Sequence, residues 1–151
     1  MKRLLFVFLM LLFAGCSLKT VPVYVALKTP QIKISDEGFL KKGWGYKEFI
    51  IYKAGLKPVK ITIKNSYICM NSRCMSKEKF VKNLSPDYPP DILDNIINGQ
   101  PIEFLGKITK IKNGFVQKNG RFYYLVKGNK ILFKDRQKNI VVFIKYLREK
   151  G

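Results

Sequence analysis

Turn dipeptides that recur in the last third of the chain constrain the fold most strongly. Asn113-Gly114, Asn119-Gly120 and Gly128-Asn129 separate short apolar segments, and residues 135–139 form a fourth polar break. Such pairs are typical of two-residue β-hairpin turns, which join antiparallel neighbours. The pattern therefore predicts an antiparallel meander. Its strands are expected over residues 102–112, 115–118, 121–127, 130–134 and 140–147.

The first half of the chain adds more strands. Residues 59–64 alternate apolar and polar side chains, which is the pattern of a half-buried strand. Weaker strand patterns occupy residues 21–27, 32–34, 46–52 and 67–69.

Two short helices are predicted between these two groups of strands. Ser76 is placed to cap a helix that ends at Leu84, and Pro89-Pro90 opens a second helix that Gly99 ends. The second helix carries one apolar stripe, which starts at Ile92. We therefore predict an α+β fold, an open antiparallel β-sheet with two short helices packed on one face. A single domain should cover residues 21–148, with the helical insertion at about 76–98.

The N-terminus has the organisation of an export signal. Lys2 and Arg3 precede an unbroken apolar run over residues 4–14, which is shorter than the about 20 residues that a membrane-spanning helix needs. The run ends in Ala14-Gly15-Cys16, which resembles the lipobox of bacterial lipoproteins. The resemblance implies a signal peptide over residues 1–15, lipidation of Cys16, and an anchor and tether over residues 16–20. The alternative is an ordinary signal peptide that happens to end in a cysteine.

The same N-terminal segment also predicts where in the cell the protein is located. Ser17 stands where inner-membrane lipoproteins of proteobacteria carry an aspartate, so the resemblance implies lipid anchoring in the cell outer membrane, facing the periplasm. Two or more acyl chains give firm anchoring.

The three cysteines need an explanation, because an odd number is unusual in an exported protein. Lipidation of Cys16 leaves Cys69 and Cys74, with four residues between them, and the periplasm is oxidising. We expect these two to form a disulfide. Free thiols and a redox role are the alternatives, although a redox pair would favour a C-x-x-C spacing. A metal site would need further ligands, so no metal or cofactor is predicted.

Charge and composition narrow the function classes. The chain of 151 residues has 29 basic side chains, 10 acidic side chains and no histidine, which gives a net charge of +19. The lack of histidine excludes a Ser-His-Asp or Cys-His nucleophile system, and no G-x-S-x-G or phosphate-binding loop is present, so no enzyme is predicted. The charge indicates anionic lipid or lipopolysaccharide headgroups as partners rather than nucleic acid, which an exported protein rarely meets. An ordinary solvated lysine-rich surface remains the alternative.

The last strands are apolar on both faces, whereas a sheet with one wet face should alternate. Either the strands curl over their own core, or the face without helices holds an apolar ligand. The predicted cavity residues are Tyr123, Leu125, Phe143 and Leu147, or their alternates Phe122, Tyr124, Val142 and Ile144.

The lipobox, the run of strands, the helical insertion that ends in Gly99-Gln100-Pro101 and the final meander together resemble the layout of the LolB-type outer-membrane lipoprotein receptors. The resemblance spans most of residues 17–147 and implies a half-barrel-like sheet around helices, an acyl-binding cavity and other lipoproteins as partners. In that family an apolar side chain on a protruding loop touches the membrane. Trp44, between two glycines, is the candidate here, and a core tryptophan is the alternative.

Two functions follow from these features. The first is a non-catalytic envelope lipoprotein that binds acyl chains or lipoproteins at the outer membrane. The second is a structural or assembly subunit of an envelope or secretion complex, with no ligand cavity.

Overall fold

The computed structural model describes residues 18–147, and within them the chain forms one antiparallel sheet and two α-helices. The predicted signal peptide and Cys16 lie outside the described residues. The strands are β1 Lys19–Lys28, β2 Lys33–Gly43, β3 Tyr46–Ile51, β4 Val59–Lys64, β5 Tyr67–Met70, β6 Arg73–Ser76, β7 Ile108–Ile111, β8 Gly114–Lys118, β9 Phe122–Lys127, β10 Lys130–Asp135 and β11 Ile140–Tyr146. The helices are α1 Lys77–Leu84 and α2 Ile92–Asn98, followed by a 3-10 turn at Glu103–Leu105.

The sheet is open, and its strand order is β6-β5-β4-β3-β2-β1-β11-β10-β9-β8-β7. Every neighbouring pair is antiparallel, and all but one are consecutive in the chain, as hairpin turns require. The exception joins the two ends of the domain, because β1 pairs with β11 in the middle of the sheet, with Val25 opposite Ile144. The predicted α+β class with an open antiparallel sheet is confirmed.

Several predicted elements match the structure closely. Strand β4 covers the predicted residues, and α1 begins after Ser76, whose hydroxyl accepts a hydrogen bond from the Lys79 amide. Gly99 ends α2 in the left-handed conformation, with φ of 65°. Asn113 and Gly128 also have positive φ, as their hairpin turns demand.

Strand β2 is much longer than the predicted segment 32–34. Its middle is polar and contains Gly38, so it lacks the pattern of a strand. Neighbouring strands hold it in place, since Gly38 pairs with Val23 on one side and Ile51 on the other. A side chain at Gly38 would collide with the Ile50 carbonyl oxygen. Tertiary pairing therefore overrides weak propensity here.

The predicted strand over residues 102–112 is wrong in its first half. The structure has the 3-10 turn there and only the short β7 after it. Ile102 and Leu105 are buried in this turn, which the side chain of Gln117 holds. Its amide accepts from the Ile102 N–H and donates to the carbonyls of Ile102 and Gly106, at 2.8–2.9 Å. The three hydrogen bonds of this buried amide satisfy backbone groups that a strand pairing would otherwise have satisfied.

Both helices lie on one face of the sheet, called here the helical face, and the other is called the outer face. The buried apolar side chains form one cluster on the helical face, and all of its members fall between Val23 and Ile144. A chain that begins at Ser17 therefore contains every core residue of the part that the structure describes.

Candidate ligand-binding cavity

An apolar cavity of about 290 Å³ lies between the helical face and the two helices. Strands β1, β3, β4, β5, β6, β10 and β11 supply one wall, and α1 and α2 supply the other. The strand residues that line it are Val25, Leu27, Phe49, Ile61, Ile63, Ile68, Cys69, Met70, Arg73, Met75, Phe133, Ile140, Val142 and Ile144. The helices and connecting segments add Thr29, Gln31, Ile32, Phe80, Leu84, Tyr88, Ile92, Leu93, Ile96 and Ile97.

The cavity exists because branched aliphatic side chains cover this part of the sheet. Ile61, Ile63 and Ile68 are buried on β4 and β5, and the stripe on α2 faces them with Ile92 and Ile96. Periodicity explains the arrangement, since alternate strand residues and residues four apart in a helix share a face.

Rings fill the other part of the helical face. Phe122, Tyr124 and Phe133 on neighbouring strands pack with Tyr88 and Phe104 from the helical segment, with ring centroids 5.3–6.3 Å apart. Tyr124 and Phe133 have at most 1% of their surface exposed. Aromatic side chains bury the most area of any side chain, so these rings fill most of this part, and only Tyr88 and Phe133 among them also line the cavity.

Two lysines and one aspartate fix α2 above the cavity. Asp94 accepts from the Nζ of Lys47 on β3 and of Lys77 on α1, both at 2.7 Å. Burial alone would raise the pKa of Asp94, but the two lysines lower it below its usual range. The Nζ of Lys42 donates to the Ile97 carbonyl at the C-terminal end of α2. Polar groups on the helical face therefore bind the helices.

A buried carboxylate does the same at the filled end. Asp135 is 1% exposed and accepts from the Tyr88 hydroxyl at 2.7 Å and from the Arg121 guanidinium at 2.7–3.0 Å. Burial favours the neutral acid, yet these hydrogen bonds lower the pKa of Asp135. Burial and the bond to Asp135 raise the pKa of Tyr88. Arg121 also reaches Asp87 at 2.8 Å, so the network joins the sheet to the segment after α1.

The structure places the cavity on the face opposite to the one expected. The sequence favoured a ligand on the face without helices, whereas the cavity lies beneath the helices. The first predicted set, Tyr123, Leu125, Phe143 and Leu147, does not line it. Tyr123, Leu125 and Phe143 are half-buried on the outer face, where Phe143 packs edge-on against Tyr24 at 6.1 Å. Cross-strand packing of this kind covers part of the outer face without a second layer.

Of the alternate set, Val142 and Ile144 line the cavity, while Phe122 and Tyr124 belong to the ring cluster. Leu147 lies at the end of β11 beside Pro22, whose carbonyl accepts from the Leu147 N–H at 2.9 Å.

Trp44 lies in the β2–β3 turn with 96% of its surface exposed, so it is not a core residue. The flanking Gly45 has φ of 62°, a conformation that suits a tight turn with an outward side chain. Leu18, 56% exposed, lies against Gly43 in the same turn. The two apolar side chains therefore share the end of the sheet at which β1 begins.

The predicted disulfide is present. Cys69 and Cys74 face each other across the β5–β6 hairpin, with their Cα atoms 4.0 Å apart. This hairpin forms one edge of the sheet, and Met70, Arg73 and Met75 from it line the cavity. Strand β6 was not predicted, because its sequence has no alternating pattern, and all four of its residues are exposed.

Two further features of residues 18–147 bear on function. None of the helices described is long and apolar enough to cross a membrane. No group of three histidine, cysteine or acidic side chains within that range is arranged to hold a metal ion.

No protein-family model matches this chain, and no curated protein matches it either.

Proposed function

We propose that this protein is a non-catalytic envelope lipoprotein, anchored in the outer membrane by acylated Cys16, that binds an acyl chain in the cavity beneath its helices. The observation that carries the proposal is the cavity itself, about 290 Å³ in volume and lined almost entirely by apolar side chains. Each methylene buried there gains about 0.8 kcal/mol. A scaffold with a filled core would not leave this space.

The proposed layout is LolB-like, with the sheet forming a half-barrel around α1 and α2. The open edges at β6 and β7 and the antiparallel order support it, because an unclosed sheet can wrap helices on one face. Acyl chains of other lipoproteins are the family's cargo and are proposed here as one source of the ligand.

The Trp44 end is proposed to face the membrane. Lys19, the first residue of β1, pairs with Lys42 next to the Trp44 turn, so an anchor at Cys16 would lie at this end. Exposed tryptophan and lysine suit a surface of anionic headgroups. The cavity reaches the other end of β2, where Thr29, Gln31 and Ile32 line it. An eleven-residue strand separates these two ends by roughly 35 Å.

Acyl binding is tested with adjacent valines of β11. Val142 lines the cavity, whereas Val141 points to the outer face and does not. In residues 17–151, Val142→Phe should weaken saturable binding of a fluorescent fatty acid by about tenfold, because the ring occupies ligand space. Val141→Phe should leave binding unchanged. No saturable binding to the unaltered chain would contradict the proposal.

Anchoring is tested in cells supplied with radioactive palmitate. Full-length protein should take up the label and Cys16→Ala should not. Label retained by the variant would refute lipidation of Cys16.

Membrane contact is tested by sedimentation with phosphatidylglycerol-containing vesicles. Trp44→Ser should reduce the bound fraction. Leu56→Ser is the matched control, because Leu56 is 63% exposed in the loop at the opposite end of the sheet. Equal losses in the two variants would argue against a role specific to Trp44.

A further inference from the structure

One charged side chain lines the cavity. Of the residues that surround it, Arg73 alone carries a charge, and the polar ones are Thr29 and Gln31. Thr29 and Gln31 lie in the β1–β2 connection and Arg73 lies in the β5–β6 hairpin, and these two connections are at the same end of the strands. The cavity is therefore apolar in its depth and polar at this end.

Arg73 is held at that position. It begins β6 and pairs with Met70 across the hairpin, and the disulfide between Cys69 and Cys74 closes the same hairpin. Met75, two residues on, lines the cavity as well, as expected for alternate residues of one strand. The backbone that carries Arg73 is thus fixed by pairing and by a covalent link.

Among residues 18–147, no acidic side chain pairs with the guanidinium of Arg73. Among residues 18–147, its side chain makes no ion pair and no hydrogen bond. Arg121 is the opposite case, since Asp135 and Asp87 both bind it. An arginine with all its donors open at the rim of an apolar cavity offers a fork that matches a carboxylate or a phosphate.

We propose that the cavity binds an anionic single-chain amphiphile, with its chain among the apolar side chains and its carboxylate or phosphate on Arg73. This inference rests on the proposed function, because it assumes that an acyl chain enters the cavity. The volume of about 290 Å³ lies just below the usual range for ligand pockets, about 300–1,000 Å³. It suits one chain rather than several. A fatty acid and a lysophospholipid with a phosphate head share this chemistry.

The test compares an acid with its neutral ester. Residues 17–151 are titrated with cis-parinaric acid, a fluorescent fatty acid, and with its methyl ester. Arg73→Gln should weaken binding of the acid by about tenfold and leave the ester unchanged, because only the acid offers a charged partner to the guanidinium. Arg136→Gln is the matched control, since Arg136 is exposed in the β10–β11 turn and does not line the cavity.

Competition between the probe and unlabelled lipids then distinguishes a fatty acid from a lysophospholipid as the ligand. Displacement of the probe by oleate or by lysophosphatidic acid, each weakened in Arg73→Gln, supports the proposal and identifies the preferred head. Equal displacement by a neutral monoacylglycerol overturns it. If acid and ester bind the unaltered chain equally and Arg73→Gln affects neither, Arg73 does not bind the headgroup. The proposal that an acyl chain binds in the cavity would still hold. If neither probe binds saturably, the proposed function falls, and the assignment to Arg73 falls with it.

Discussion

The two parts of the helical face differ in how completely they are filled. Over β8 to β10, five rings interlock, and Tyr124 is fully buried. Over β3 to β5, the cavity is lined by Phe49 and by the isoleucines Ile61, Ile63 and Ile68. Unfilled volume on this scale forgoes packing worth several kcal/mol, roughly 24 cal/mol for each Å³. The same sheet therefore combines a part that stabilises the fold with a part kept open at a cost in stability, which is expected of a binding site.

Charged groups follow the same division. The carboxylate of Asp135, beside the rings, has 0% of its side-chain surface exposed, whereas that of Asp94, above the cavity, has 26% exposed. The filled part is fixed by a desolvated network. The helix above the cavity is held by ion pairs that water can reach, and such pairs contribute less to stability.

The largest expected effect comes from the buried network. Asp135→Ala should lower the free energy of unfolding by about 3–5 kcal/mol, because it removes the fully buried partner of Arg121 and leaves the buried Tyr88 hydroxyl without its acceptor. Urea denaturation measures this loss. Asp87→Ala is the control, since Asp87 binds the same arginine with a side chain that is 66% exposed, and it should cost less than about 1 kcal/mol. Similar losses in both variants would remove the distinction between the two parts.

The second largest effect is expected from larger side chains, which should destabilise the filled part of the helical face more than the part that contains the cavity. Ile131 and Ile63 are each 4% exposed on the helical face, but only Ile63 lines the cavity. Ile131→Phe should cost about 1–3 kcal/mol, because no space receives the ring. Ile63→Phe should cost less than about 1 kcal/mol, since its ring enters the cavity. An equal penalty in urea denaturation would show that the cavity cannot admit extra atoms.

The smallest effect concerns pH and α2. The pKa of Asp94 is lower in the folded protein than the usual value, so its contribution is present at neutral pH and is lost as pH falls through that lowered pKa. Asp94→Asn should therefore be less stable than the unaltered chain by about 1 kcal/mol at pH 7. The difference should shrink as pH falls below about 4. A gap that stays constant between pH 7 and pH 3 would mean that the charge of Asp94 does not stabilise the fold.

Local signals made much of the fold predictable. Alternation found β4, the Ser76 cap found α1, and Asn-Gly turns found the C-terminal hairpins, because each depends on residues close in sequence. Strand β2 and the turn at Glu103–Leu105 were missed, since Gly38 is held by strands on both sides and Ile102 by the distant amide of Gln117. Local propensity carries no information about such partners.

The candidate site was less predictable than the fold. The two faces of an apolar strand look alike in sequence, so no local signal indicated that Val142 rather than Phe143 faces the cavity. The choice depends on register, because a shift by one residue exchanges the faces. Arg73 was missed for another reason. Its strand carries no pattern, and only the pairing of Met70 with Arg73 brings it to the cavity. The spacing of Cys69 and Cys74 was the one signal that pointed to this hairpin.

Isoleucine methyl NMR tests most directly whether an acyl chain enters the cavity beneath the helices. Residues 17–151 carrying ¹³C-labelled isoleucine δ1-methyl groups are titrated with dodecanoate below its micelle concentration. We predict saturable shifts at Ile61, Ile63, Ile92 and Ile96, which line the cavity, and none at the buried Ile102 and Ile131, which do not. Shifts centred on Ile131, or no saturable shift at any of these methyl groups, would contradict the account.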